Sequence, residues 1–199
     1  ATPAGAGQTA VPETPSGFVL LLTGNWGGQI EPCGCSEKQL GGIDRRSHIL
    51  KAIPESGRLL ADAGPLIDKE DLQSRLKFET FLFSLKHLKY DAIGLSGEEL
   101  LVKNELKPSE LPPLVVTNMA EPARQTFETL GYLQKTLAVG DQQLDCLVLS
   151  LARELPASAT DHQKKLVQLQ DSAAAVKAML ASLNIDPDKT TPDRLIVVT

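Results

Sequence analysis

The stretch GFVLLLTGNWGGQIEPCGCSEKQLGG, residues 17–42, opens on a short apolar run and passes directly into a glycine-rich loop. A run of that length, apolar throughout and closed by glycine, reads as a buried β-strand over 17–23. The loop at its carboxyl end carries Trp26, Glu31 beside a proline, and two cysteines one residue apart, Cys33 and Cys35. It has the look of an active-site loop, yet it contains neither histidine nor aspartate.

Outward from this stretch, strand-like and helix-like segments alternate. Residues 42–53, GIDRRSHILKAI, place Ile43, His48, Ile49, Leu50 and Ile53 at roughly helical spacing. RLLADAG (58–64) is a second strand. Residues 71–89 put Leu72, Leu76, Phe78, Phe81, Leu82, Leu85 and Leu88 on one apolar helical face. YDAIGLSG (90–97) is a third strand, followed by a short helix at about 98–105. LVVTNM (114–119) is a fourth strand. Residues 127–152 read as strand–turn–strand about GDQQ, 161–184 as one long amphipathic helix with Asp161 as N-cap, and 193–199 as a last buried strand. Strand, helix, strand, helix, strand predicts an α/β domain with a largely parallel sheet. Ligands in such folds gather at the carboxyl ends of the strands, here the loops beginning at Thr23, Asp62, Leu95 and Thr117. A fifth such loop would begin at Thr199, where the chain stops, so an incomplete domain is expected.

Composition narrows the function classes. Across 199 residues, 42% apolar and 23% charged residues are ordinary for a globular domain. A net charge of −5 and the lack of a Lys/Arg cluster argue against a nucleic-acid surface. No apolar run reaches the ~20 residues of a membrane span. Residues 1–16, ATPAGAGQTAVPETPS, cannot bury enough apolar surface to offset the entropy of ordering them and read as a tether ahead of a domain at 17–199. The tether would follow a removed export signal, a lipid-anchored cysteine or another domain, and any membrane association would run through such an anchor. Three cysteines, Cys33, Cys35 and Cys146, fit one disulfide with a free thiol or three thiols. There is no CxxCH, so no c-type haem is expected on this chain, and no other cofactor is expected.

The loops, taken together, resemble the calcineurin-like metallophosphatases, and within them the N-terminal domain of the 5′-nucleotidases. The matching frame is LLLTGNWGGQIEP (20–32), LGGIDRRSHILKAI (40–53), LLADAGPLID (59–68), YDAIGLSGEELL (90–101) and LVVTNM (114–119). The EPCGC and QLGG variants resemble a bacterial exported branch, some members of which are joined to multihaem cytochromes. The resemblance implies a metallophosphatase-like layered domain of sheet and helix, truncated at its C-terminal side, and a pair of metal ions that clamp a phosphate ester and activate water. It also implies ligands at the strand ends, and this chain departs from them. Asn25 and Gly27 stand where Asp and His are needed, Pro65 where an Asp is needed, and Gly97 and Glu98 where Asn and His are needed. Glycine and proline have no side-chain donor, and an amide is a poor replacement for a bridging carboxylate.

The other polar residues have plain alternatives to a chemical role. Cys33 and Cys35 would bind metal only with further ligands such as Cys146 or His48; a loop held by a disulfide or by packing competes, as does a partner-facing thiol site. Cys146 within LDCLVLSLA reads as a small buried apolar residue. His48 fits helix packing, while His87 and His162, beside lysines, read as solvent-facing. Asp62, Glu98 and Glu99 form a carboxylate set without a nucleophile, and Asp62 fits loop bracing equally well. Asn118 is placed to hydrogen-bond across the cleft. Gly41 and Gly42 followed by Arg45 and Arg46 offer an anion a helix start, with close helix–sheet approach as the simpler reading. Trp26, with Gln29 and Glu31, is either a contact surface or, for the ring, a plug in the metal cleft.

The expectation that results is a catalytically inactive metallophosphatase-like module on the periplasmic or extracellular side, without catalytic residues of its own. Its partner by resemblance is a protein: a multihaem cytochrome or a membrane-bound respiratory or photosynthetic complex. A metal-dependent phosphoester hydrolase with its remaining ligands outside this chain, and a cysteine-based metal-binding protein, are the alternatives.

Overall fold

A computed structural model describes residues 17–32, 42–102, 111–189, 191 and 193–199. The apolar run becomes β1 (Val19–Thr23), and α1 (Ile43–Lys51) leads from its loop to β2 (Arg58–Asp62). Then follow α2 (Leu72–His87), β3 (Ala92–Gly94), α3 (Gly97–Val102) and β4 (Leu114–Val115). All four strands pair in parallel in the order β1-β2-β3-β4, with Thr23 level with Asp62 and Asp62 level with Ile93. Their carboxyl ends therefore lie along one rim of the sheet.

The second half differs from a single parallel sheet. After α4 (Glu121–Phe127), β5 (Leu133–Val139) and β6 (Gln142–Leu149) pair antiparallel. The two-residue link between them places Gly140 at φ +60°, a conformation glycine adopts without steric cost. Then come α5 (Asp161–Val167), α6 (Ser172–Ser182) and β7 (Arg194–Val198), which joins β6 in parallel to give a second sheet, β5-β6-β7.

Alternation along the strands decides what each face buries. On β2, Leu59 and Ala61 point into the space between the sheets with Ala92 and Val115, meeting Leu137, Cys146, Val148 and Val197. Leu60 points the other way, joining Ile93 and Leu114 against Phe78, Phe81, Leu82 and Leu85 of α2. The outer face of the second sheet, Leu147 and Leu149, is covered by Leu180, Val176 and Met179 of α6. The layers thus run helices, parallel sheet, mixed sheet, helix. Gly94 marks the closest approach of the sheets: a Cβ there would come within 2.1 Å of Ser150 Oγ.

Three expectations about elements are corrected. The long helix over 161–184 is two helices, because residues 168–170 leave the helical path to pair with 118–120. Gln168 takes φ +50°, Gln170 N–H donates to Asn118 O (2.7 Å), and Ala120 N–H donates to Gln168 O (3.1 Å). Each piece has its own cap, with Thr160 and Gln163 in a reciprocal capping box and Asp171 accepting from Ala174 N–H. The strand–turn–strand expected over 127–152 starts later, because Phe127 ends α4, a helix with proline in its first turn, and β5 begins at Leu133. On α2, Leu72 and Leu76 are 71% and 57% exposed, and the buried face is Ser74, Phe78, Phe81, Leu82 and Leu85.

Candidate functional site

The strand-end loops are tied to one another by their own backbones. Asn25 N–H donates to Gly64 O (2.8 Å), Trp26 N–H to Pro65 O (2.9 Å) and Gly28 N–H to Leu66 O (2.8 Å), so the loop after β1 lies zipped onto the loop after β2. The Gly64–Pro65 peptide is cis. The third loop is fastened by Glu99, whose side chain is fully buried. Its Oε1 accepts the N–H groups of Leu66 and Ile67, and its Oε2 accepts Ser96 N–H. Burial pushes the Glu99 carboxyl above its ordinary value of 4.5, against the pull of those N–H donors. Asn118 makes the fourth tie: its Nδ2 donates to Ala152 O and its Oδ1 accepts Ala152 N–H, both at 2.9 Å.

Beneath the first two loops lies a buried polar cluster. Asp62 accepts from Trp26 Nε1–H (2.7 Å), Gly64 N–H (2.9 Å) and the Thr23 hydroxyl. Arg46, reaching in from α1, stands 3.7 Å from the same carboxylate and donates to Tyr90 Oη at 2.7 Å. Its guanidinium also lies 3.7 Å above the Trp26 ring centre, and the ring meets Phe81 edge-on at 4.9 Å. Burial raises the Tyr90 phenol above its ordinary value, with the Arg46 and Thr23 hydrogen bonds opposing.

The residues singled out in the sequence take separate places. Of the two roles expected for Trp26, contact surface or plug, its 6% exposure and its place between α1 and α2 leave out the surface one; Gln29 and Glu31 are exposed. Asp62 and Glu99 are each occupied with bracing, and Glu98 accepts from Ser96 Oγ–H at 2.9 Å. Arg46 faces the sheet cluster, while Arg45 is exposed. His48 is exposed on α1, a correction to its expected packing role, since Leu50 supplies the buried contact there. His87 and His162 are exposed. Cys146 is a buried free thiol between the sheets, its pKa raised by burial. Cys33, Cys35 and Gly41 lie outside the described residues. Thr23 and Tyr90 were missed. The signal for Arg46 was its place on the apolar stripe between Ile43 and Leu50, where a charge must find a buried partner.

The two-metal centre implied by the family resemblance does not fit these residues. Asn25 is left-handed at φ +55°, and its backbone is fixed by Gly64; Gly27, at φ +52°, offers no side chain. Pro65 presents a ring. At position 97, a Cβ would sit 2.6 Å from Glu154 O and 2.9 Å from Leu155 Cα, so the adjoining backbone fills the room a ligand side chain would need. Among the described residues no three His, Cys, Asp or Glu side chains are grouped to hold a metal ion.

The architecture is that of the metallophosphatase-like fold of 5′-nucleotidases, a parallel sheet and a mixed sheet between helices. Among solved structures, the chain is similar to a 5′-nucleotidase precursor from Thermus thermophilus, with a TM-score of 0.63, 17% identity, and coverage of 91% of this chain and 36% of that one. NAD nucleotidase from Haemophilus influenzae matches at 0.58 and 15%, covering 90% and 33%. The sulfate thiohydrolase SoxB from Thermus thermophilus, in complex with glycerol, matches at 0.58 and 12%, covering 90% and 43%. The chain thus spans about a third of the length of the first two. No protein-family model matches the sequence. No curated protein matches it either.

Proposed function

We propose that this chain is a catalytically silent metallophosphatase-like module, retained as a binding or scaffold domain in an extracytoplasmic or membrane-associated redox assembly. The carrying observation is Gly97 against the Glu154 carbonyl: the position is without a donor and is sterically closed to one. Asn25, Gly27 and Pro65 extend the same departure, and the buried carboxylates of Asp62 and Glu99 are engaged in holding the loops. A single Glu98 cannot hold two divalent cations close together. The match to a 5′-nucleotidase precursor supports an exported setting. The cytochrome-type partner rests on the EPCGC resemblance, and the exposure of Gln29 and Glu31 supports the first loop as its contact surface.

The competing reading is a phosphoester hydrolase completed by residues outside this chain, favoured by two matched structures named as nucleotidases. Elemental analysis of unchelated protein, followed by calorimetric titration with Mn²⁺, separates the two. Absence of stoichiometric metal and of saturable Mn²⁺ binding is expected. Two tightly bound ions per chain would establish the hydrolase reading instead.

A further inference from the structure

At the end of the parallel sheet opposite the candidate site, α1 and α2 finish side by side over the first residue of β2, Arg58. Its guanidinium is buried, at 4% exposure, and donates from Nη1 to Leu50 O (2.9 Å) and Ile53 O (3.0 Å) and from Nη2 to Leu88 O (3.4 Å). All three acceptors are neutral carbonyls. A guanidinium has five N–H donors, so Nε–H and the rest of Nη2 have no protein acceptor among the described residues. Buried donors without a partner ask for one from solution.

Arg58 lines a groove of about 700 Å³ together with Ser47, Lys51, Glu55, His87 and Lys89. Three cationic side chains face one carboxylate there, in a chain whose net charge is −5. Glu55 is ion-paired with Lys89 at 2.7 Å and also feels the charge of Arg58 without bonding it, while Lys51 has no ion pair among the described residues. The helix-end carbonyls carry partial negative charge, and the hydrogen bonds from Arg58 offset it.

We infer that this groove binds a small oxyanion of the phosphate or sulfate class, with Arg58 as the buried anchor and Lys51 at the rim. The site is separate from the strand-end loops and does not depend on how they are read.

The test is an NMR titration of the whole protein with inorganic phosphate, following the Arg58 Nε–H resonance. Saturable binding in the millimolar range, with that resonance moving, is expected. Lys51→Gln should weaken it about fivefold, since a rim charge contributes up to roughly 1 kcal/mol. Arg153 lines a separate groove beside Asn118 at the strand-end rim, so Arg153→Gln should leave the affinity unchanged. A linear, unsaturating response to about 50 mM phosphate would overturn the inference. So would a static Arg58 signal, which would mean that water completes its donors, or equal affinity in Lys51→Gln, which would mean that the groove charge does not hold the anion.

Discussion

Asp62 ends β2 inside the protein, where a carboxylate is tolerable only if its oxygens are answered, and here they are answered by an indole, a backbone N–H, a hydroxyl and a nearby guanidinium. Asp62→Asn keeps the shape but removes the charge facing Arg46. Urea unfolding should show a loss of about 2–4 kcal/mol, since one member of a largely buried pair is left behind. A loss below about 0.5 kcal/mol would mean that solvent already screens Arg46. Glu99 gives a pH signature. Its folded value lies above its ordinary 4.5, so the folded state binds the proton more tightly than the unfolded chain does. The stability this contributes is full in acid and is lost as pH rises from about 4.5 through the folded value. Glu99→Gln should flatten that fall, as measured by thermal melts across the window. Identical pH profiles for the two proteins would remove Glu99 as the cause. The sequence offered Asp62 as a brace, but nothing in it joined Thr23, Arg46 and Tyr90, because their meeting depends on the register of β1 against β2 and the roll of α1.

At the scale of elements, β1, β2 and β7 were legible as short apolar runs, β6 as part of the strand–turn–strand, and α1 as a periodic segment. What stayed hidden depended on contacts remote in sequence. The break between α5 and α6 exists because 168–170 pair with 118–120, a partnership that periodicity within 161–184 cannot register. On α2, apolar residues occupy two stripes, and only packing on the sheet selects 78, 81, 82 and 85. Phe81→Ala should therefore cost about 3–5 kcal/mol in denaturant unfolding, and Leu76→Ala no more than about 0.5. Comparable losses at the two positions would show that the exposed stripe of Leu72, Leu76 and Phe83 is covered in solution.

For the whole molecule, the frame is metallophosphatase-like, while the strand-end groups face inward to hold loops together. The two sheets are bolted by Lys135, which donates to Asp91 (2.7 Å) and Arg58 O (2.9 Å) while Asp91 accepts Leu60 N–H. The departures at 25, 27, 65 and 97 were legible in the sequence through the resemblance. The obstruction at Gly97 was not, since it arises from residues 154–155, which follow β6 and are remote in sequence from position 97. Rebuilding an asparagine at 97 must displace that backbone, and Gly97→Asn should destabilise the fold by about 1–3 kcal/mol without creating metal affinity. The most direct measurement is phosphodiesterase and nucleotidase turnover by the unchelated protein with added Mn²⁺. Rates equal to the protein-free blank are expected. Turnover that disappears on chelation and returns with metal would contradict the account.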